Sequence, residues 1–164
     1  VDGDNTTVIR FAEMEDAEII ARIHVDSRAA TMPYLPAQRY TLAEVIDWIR
    51  DVVLRTCRTT VAVRRDEVVG YAAVEGAVLD QLYVRPDLLR QGIGTLLLDE
   101  VLRDGSGGVS LRVFQQNTEA RAFYERHGFV LIDSSDGSDN MEGLPDMVLR
   151  WMPAREPGLV EERQ

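Results

Sequence analysis

The chain is 164 residues long, 45% hydrophobic and 28% charged, enough for one globular domain with a core and too little for two ordinary ones. Its 18 basic and 28 acidic side chains leave a net charge of -10, which argues against a nucleic-acid footprint or an anchor on an anionic membrane, since both need clustered positive charge. Every basic side chain is Arg, which excludes Schiff-base, P-loop and general-base lysines, and one cysteine (Cys57) with two distant histidines (His24, His127) makes neither an internal disulfide nor a zinc centre.

Residues 1–6 read as a flexible polar arm. Thr7 to Ala12 then alternates apolar and polar side chains with the period of a half-buried strand. From Asp16 through Ala30 the period changes: Ala17, Ile20, Ala21, Ile23 and His24 recur at helical spacing, and the run stops short of Pro33 and Pro36. Thr41 with Glu44 forms a capping box for a second helix, whose apolar stripe of Val45, Ile46, Trp48, Ile49, Val52 and Val53 reaches about Arg55. Residues 59–65 and 68–75 are β-rich and flank a hairpin tip at Asp66-Glu67; Gly76-Ala77 separates them from a third strand, 78–84, closed by Pro86. A helix over 92–102 turns Leu96, Leu97, Leu98, Val101 and Leu102 inward and ends at the glycine-rich 104–108. A strand follows at 109–114. Asn117 caps the next helix, which Gly128 stops; strand 129–132, a polar loop and a last strand at 146–152 complete the order. Residues 153–164 read as a flexible tail. The result is a mixed α/β layer fold in a single domain, 7–152. No run approaches the roughly 18 apolar residues of a membrane span, and the N-terminus lacks a basic-then-apolar leader, so a soluble, cytoplasmic protein without membrane partners is expected.

The most informative string runs from Leu82 to Leu98: a strand, a proline-closed exit, Gly92 and Gly94, and a helix that starts on them. Glycines there let backbone N–H groups of Arg90 to Thr95 converge on an anion at the positive end of the helix. Two glycines alone equally suit an ordinary tight turn. A dinucleotide fingerprint is excluded because its third glycine position is Leu97, and a P-loop because the chain has no lysine.

Here the chain resembles the GNAT superfamily of acyl-CoA-dependent N-acyltransferases, whose signature Q/R-x-x-G-x-G/A follows a strand ending in L-x-V-x-P. The strand end is Leu82-Tyr83-Val84-Arg85-Pro86 and the turn Leu89-Arg90-Gln91-Gly92-Ile93-Gly94, with Leu89 standing where the family has Gln or Arg. Arg90 and Gln91 are placed to make up that contact. Asn117 to Phe129 matches a second family segment, N-x-x-A-x-x-x-Y-x-x-x-G-F, with Asn117, Ala120, Tyr124 and Gly128 in register. The resemblance spans roughly residues 7–152, the first third in pattern more than in motif, and implies a mixed central sheet of about six or seven strands with helices on both faces.

It also implies an activity: an amine attacks the thioester of acetyl-CoA, passes through a tetrahedral oxyanion and expels the thiolate, in a ternary complex. Leu82, Tyr83 and Val84 are expected to pair with the pantetheine, Arg90, Gln91, Gly92, Ile93, Gly94 and Thr95 to hold the diphosphate, and Asn117, Ala120, Phe123 and Tyr124 to line the coenzyme. Tyr124 occupies the family position of the acid that protonates the thiolate; read without the family, Phe123 and Tyr124 are core aromatics. For the base that deprotonates the amine, Glu75 and Asp80 are the candidates, directly or through water, or both are merely solvated turn residues. His24 reads as a packed histidine and His127 as a partner of the helix C-terminal dipole. The family layout puts the acceptor between Ser27, Arg28, Thr31, Met32, Tyr34 and Trp48 on one side and Asn140, Met141 and Glu142 on the other. The expected acceptor is a small-molecule or protein amine; no metal is called for, and the sequence leaves a homodimer open. The competing reading is an acyl-CoA-binding regulatory module without turnover.

Overall fold

A computed structural model describes residues 4–154. Of the expected arm and tail, residues 1–3 and 155–164 lie outside the described residues, and 4–6 and 153–154 belong to no helix or strand. Seven strands form one sheet in the order β1-β2-β3-β4-β5-β7-β6. They are β1 (Thr7–Phe11), β2 (Arg58–Arg64), β3 (Glu67–Glu75), β4 (Val78–Val84), β5 (Val109–Phe114), β6 (Val130–Ser135) and β7 (Asp146–Trp151). Every pairing is antiparallel except β4 with β5. The β2–β3 tip falls on Arg65-Asp66, one residue earlier than the sequence suggests. Both residues adopt left-handed φ (51° and 62°), the combination whose twist matches that of the flanking strands.

Helices cover both faces. On one, α1 (Ala17–Thr31) buries Ala17, Ile20, Ala21 and Ile23 against Val61, Tyr71 and Ala73 of the sheet. It shares that face with α2 (Leu42–Trp48), a π-helical turn (Ile49–Val53) and α3 (Leu54–Thr56). The capping box is present: the Glu44 N–H donates to Thr41 Oγ1 (3.2 Å) and the Thr41 N–H to Glu44 Oε2 (2.7 Å). The regular helix expected to Arg55 is instead interrupted by the π turn, across which Val45, Ile49 and Val53 stay buried while Val52 is exposed. On the other face lies α4 (Ile93–Arg103), with Ile93, Leu97, Leu98 and Val101 packed on Ala62, Ala72, Leu79, Val109 and Leu149, and α5 (Thr118–Arg126), with Tyr124 buried. Leu96, expected to face inward, is 41% exposed. A Cβ on Gly70 would lie 3.0 Å from the Tyr83 carbonyl and 3.2 Å from Leu97, so glycine there lets α4 settle on the sheet. Strand β6 begins one residue later than expected and runs on to Ser135 as an edge strand, its Val130, Leu131 and Ile132 exposed. Among the described residues no helix is long and apolar enough to cross a membrane, and no group of His, Cys, Asp and Glu is arranged to hold a metal.

Candidate active site

The site begins where the sheet parts. Strands β4 and β5 pair only at their start, Val78 opposite Ser110, with the Ser110 N–H donating to the Ala77 carbonyl at 2.9 Å. A bulge places Leu79 opposite Val74 and Gln81 opposite Ala73, leaving Asp80 as the extra residue of β4. Beyond it the edge of β4 toward β5 has no strand partner. A cavity of about 660 Å³ opens there, bounded by Leu82–Val84, the C-terminal part of α1, the turn into α4 and one side of α5. An unpaired strand edge is a template for an extended ligand with its own amides.

At one end of the cavity stands the glycine turn. Gly92 adopts φ 82°, and Arg90 also has a positive φ, 61°. An added Cβ at Gly92 would meet nothing, so glycine is favoured there by its backbone conformation. At Gly94 it would lie 3.5 Å from Phe123 Cζ, an ordinary contact. The first bond of α4 runs from the Leu96 N–H to the Gly92 carbonyl (3.1 Å). The amides of Ile93, Gly94 and Thr95 therefore have no partner within the helix and stand at its positive end. Leu89, Arg90, Gly92, Ile93, Gly94 and Thr95 all line the cavity. Gln91 does not, because Arg64 Nη1 donates to its Oε1 at 2.6 Å; the side-chain contact expected of Gln91 is already spent. The Arg90 guanidinium is well exposed and paired with Glu119 at 2.8 Å.

Helix α5 supplies the opposite wall. Asn117 Oδ1 accepts from the Ala120 N–H (3.2 Å), which caps the helix. Phe123 packs on His127, ring centroids 4.5 Å apart, and Tyr124 lies between Phe123 and Phe129 (5.2 and 5.3 Å). Asn117, Ala120, Phe123 and Tyr124 all border the cavity. The Tyr124 hydroxyl has no hydrogen-bond partner among the described residues, and burial, with a smaller contribution from Tyr83, raises its pKa, which keeps the phenol protonated. His127 bridges the two helices: Nδ1 donates to the Phe123 carbonyl (2.7 Å), and Nε2 lies 3.3 Å from Thr95 Oγ1.

The residues expected on the acceptor side lie on α1, the bend after it, the end of α2 and the loop before β7. Ser27, Thr31 and Met32 line the cavity, and Ser27 Oγ donates to the Val84 carbonyl (2.8 Å). Arg28 donates to the Tyr83 hydroxyl (3.1 Å) and pairs with Glu142 across 3.5 Å, which ties α1, β4 and the late loop together. Tyr34 packs edge-on to Phe114 and Trp48 to His24. Asn140 is placed differently from the expectation: its side chain bonds the Leu144 carbonyl and N–H and the Asp146 carboxylate, so it shapes the loop. Met141 is exposed. Glu75 and Asp80 are both exposed and neither lines the cavity, so the structure does not bring the two proposed bases to the reacting space.

A buried polar cluster is the feature that sequence reasoning missed. The Tyr71 hydroxyl donates to Gln81 Oε1, which leaves His24 Nδ1 to donate within 2.9 Å of Tyr71 Oη and 3.1 Å of Gln81 Oε1. The bulge at Asp80 puts Gln81 on the α1 face, and no alternation pattern announces that. Burial and the Arg28 charge, opposed by the Gln81 bond, lower the His24 pKa from 6.5 to about 4. The unfolded chain therefore takes up a proton between pH 6.5 and 4 that the folded chain refuses. This contribution to stability is complete above pH 6.5 and is lost as pH falls toward 4, with a slope of at most about 1.4 kcal/mol per pH unit. Urea midpoints of the native chain and His24→Phe over that window are expected to converge as pH falls; parallel curves would contradict the burial of a neutral His24.

A family model described as an acetyltransferase (GNAT) domain matches residues 55–131. The peptidyl-lysine N-acetyltransferase YjaB of Salmonella typhimurium is 32% identical over 133 residues, 80% of this chain and 88% of that protein. YiaC of Escherichia coli, also a peptidyl-lysine N-acetyltransferase, is 26% identical over 145 residues, 88% of this chain and 96% of that one. Among solved structures, apo YjaB from Escherichia coli superposes with a TM-score of 0.74 at 29% identity, covering 91% of this chain and 99% of its own. The PaiA N-acetyltransferase of Thermoplasma acidophilum, solved with coenzyme A, shares the fold at 20% identity, with a TM-score of 0.73 and coverage of 90% of this chain and 99% of that one. The chain belongs to the GNAT family of acetyltransferases and is an acetyl-CoA-dependent N-acetyltransferase.

Proposed function

We propose that the acceptor is the ε-amino group of a protein lysine, and that the parted β4 and β5 strands bring it to the acetyl group. The observation that carries the placement is one continuous cavity with free helix-terminal amides at one end and the α1 side chains Ser27, Thr31 and Met32 along its wall. The lysine acceptor rests on the two relatives named for peptidyl-lysine.

The residues present fit acetyl-CoA. Backbone groups of Leu82, Tyr83 and Val84 pair with the pantetheine; the amides of Ile93, Gly94 and Thr95 take the diphosphate; Asn117, Ala120 and Phe123 wall the coenzyme. The coenzyme supplies an acetyl thioester. Tyr124 holds a proton on a hydroxyl with no competing partner, ready for the departing sulfur. Glu119, bound to Arg90 near the diphosphate end, is the only carboxylate among the described residues that line the cavity, so the acceptor ammonium gives its proton to water. With no tuned base, log kcat/KM is expected to climb about one unit per pH unit up to the acceptor's own pKa near 10.4. Glu75→Gln and Asp80→Asn should each leave that line within about threefold of the parent. A plateau at neutral pH that either variant abolishes would return the base to that residue.

Identity of the acceptor is tested by incubating the protein with acetyl-CoA and lysine-containing peptides, then locating the acetyl group by mass spectrometry. The chain contains no lysine, so every Nε-acetyl-lysine recovered belongs to the acceptor. Acetylation confined to small amines or N-terminal amines would contradict the lysine assignment.

A further inference from the structure

We infer that Arg28 recognises a carboxylate carried by the acceptor, and that Glu142 occupies that place until the acceptor arrives. The inference rests on the lysine reading above and names what must accompany the amine.

Three donors gather where α1, β4 and the bend after α1 meet. The first is the Arg28 guanidinium, which does not itself line the cavity but reaches the hydroxyl of the cavity-lining Tyr83. The second is the Tyr83 hydroxyl, which lines the cavity side of β4; it accepts from Arg28 Nη1 at 3.1 Å and keeps its own hydrogen to donate. The third is the Tyr34 hydroxyl, in the bend after α1, shut off from solvent with no partner among the described residues and near enough to Arg28 to feel its charge. A buried hydroxyl without a partner is costly, and a site that keeps one is short of an acceptor atom. Two phenols and a guanidinium call for an anion with two oxygens, the geometry at which arginine excels.

The structure contains an internal version of that anion. Glu142, on the loop between β6 and β7, is the one carboxylate among the described residues within ion-pair distance of Arg28. It stands off at 3.5 Å, beyond the usual 2.7–2.9 Å of a charge-assisted hydrogen bond, and both side chains are partly exposed (24% and 29%). Such a pair is weak enough to exchange. The neighbouring His24 adds no positive charge at neutral pH, since its burial between Tyr71 and Gln81 and the Arg28 charge lower its pKa to about 4. An acceptor without an anion would leave Arg28 held by Glu142 and Tyr34 unsatisfied; an acceptor with one displaces Glu142 and satisfies both.

The carboxylate has two sources, the terminal carboxyl group of a C-terminal lysine, which Nα-acetyl-lysine represents, or an acidic residue next to the lysine in a peptide. Four acceptors separate them: Nα-acetyl-lysine against its amide, and a peptide with glutamate beside the lysine against the same peptide with glutamine. In the arm that matches the natural source, the carboxylate member is expected to have a kcat/KM about tenfold higher, mainly through KM. Arg28→Gln should bring that ratio close to one. Glu142→Gln should lower KM for the carboxylate acceptor and leave the amide or glutamine acceptor behind. Thermal stabilisation by CoA, measured on both variants, reports that the fold and coenzyme site are intact. Equal rates in both arms, a preference for the neutral members, or a preference that survives Arg28→Gln would overturn the inference. Absence of turnover with all four acceptors would overturn the lysine reading itself.

Discussion

Tyr124→Phe is expected to lower kcat about 100-fold while leaving the melting temperature and the stabilisation by CoA close to those of the parent. The first part follows from the position of the phenol: Tyr124 borders the cavity between Phe123 and Phe129, and no group among the described residues competes for its proton. The second follows from the same fact, since removing a hydroxyl that bonds nothing leaves no partner stranded. Because burial raises the phenol's pKa, the parent should show no loss of kcat up to about pH 10 from ionisation of this group. Steady-state kinetics with a lysine peptide over pH 6–10 and melts with and without CoA read all three quantities. A drop in kcat below about threefold would return Tyr124 to the aromatic core and require another donor for the thiolate.

Gly94→Asp is expected to weaken CoA binding at least about 100-fold without destabilising the free protein. Gly94 is the second residue of α4, its amide is free of helix bonding, and it lines the cavity. A Cβ there makes an ordinary contact with Phe123 at 3.5 Å and 3.8 Å with Val84, so the side chain is accommodated. Aspartate at a helix N-terminus adds about 0.3–1 kcal/mol of favourable dipole interaction, and replacing a helical glycine gains more. The same carboxylate occupies the space proposed for the diphosphate, where like charges a few ångströms apart in a partly buried site repel by several kcal/mol. Gly94→Asn separates charge from bulk and should lose far less affinity. Calorimetric titration of both variants with CoA decides the matter: equal losses would make the effect steric and remove the reason to regard this helix end as an anion site.

The order of strands and helices was legible because hydrophobic period, capping residues and turn residues agree locally. Thr41 with Glu44 and Asn117 with Ala120 cap their helices as their spacing suggests. The wall of the cavity was legible for the same reason, since Leu82–Val84, Gly92–Thr95 and Asn117–Tyr124 are short segments whose members stay together when the chain folds. What sequence could not show are commitments made across long separations. Gln91 looks available until Arg64, at the end of β2, takes its carboxamide. Asn140 looks like a pocket residue until the loop closes on it through Leu144 and Asp146. The bulge at Asp80 breaks the alternation on which strand reading relies, and with it the placement of Gln81 beside His24 and Tyr71. Glu75 and Asp80 suit the chemistry by type, yet their places in the β3–β4 hairpin leave them in solvent.

The central claim is that the amides opening α4 hold the diphosphate of coenzyme A. Its most direct test is a titration of ¹⁵N-labelled protein with CoA, following backbone amide resonances by NMR. The account predicts that the largest downfield proton shifts fall on Ile93, Gly94 and Thr95, and that they are lost with a CoA fragment lacking the diphosphate. Saturable binding in which those three amides stay unmoved, with the shifts clustered elsewhere on the surface, would contradict it.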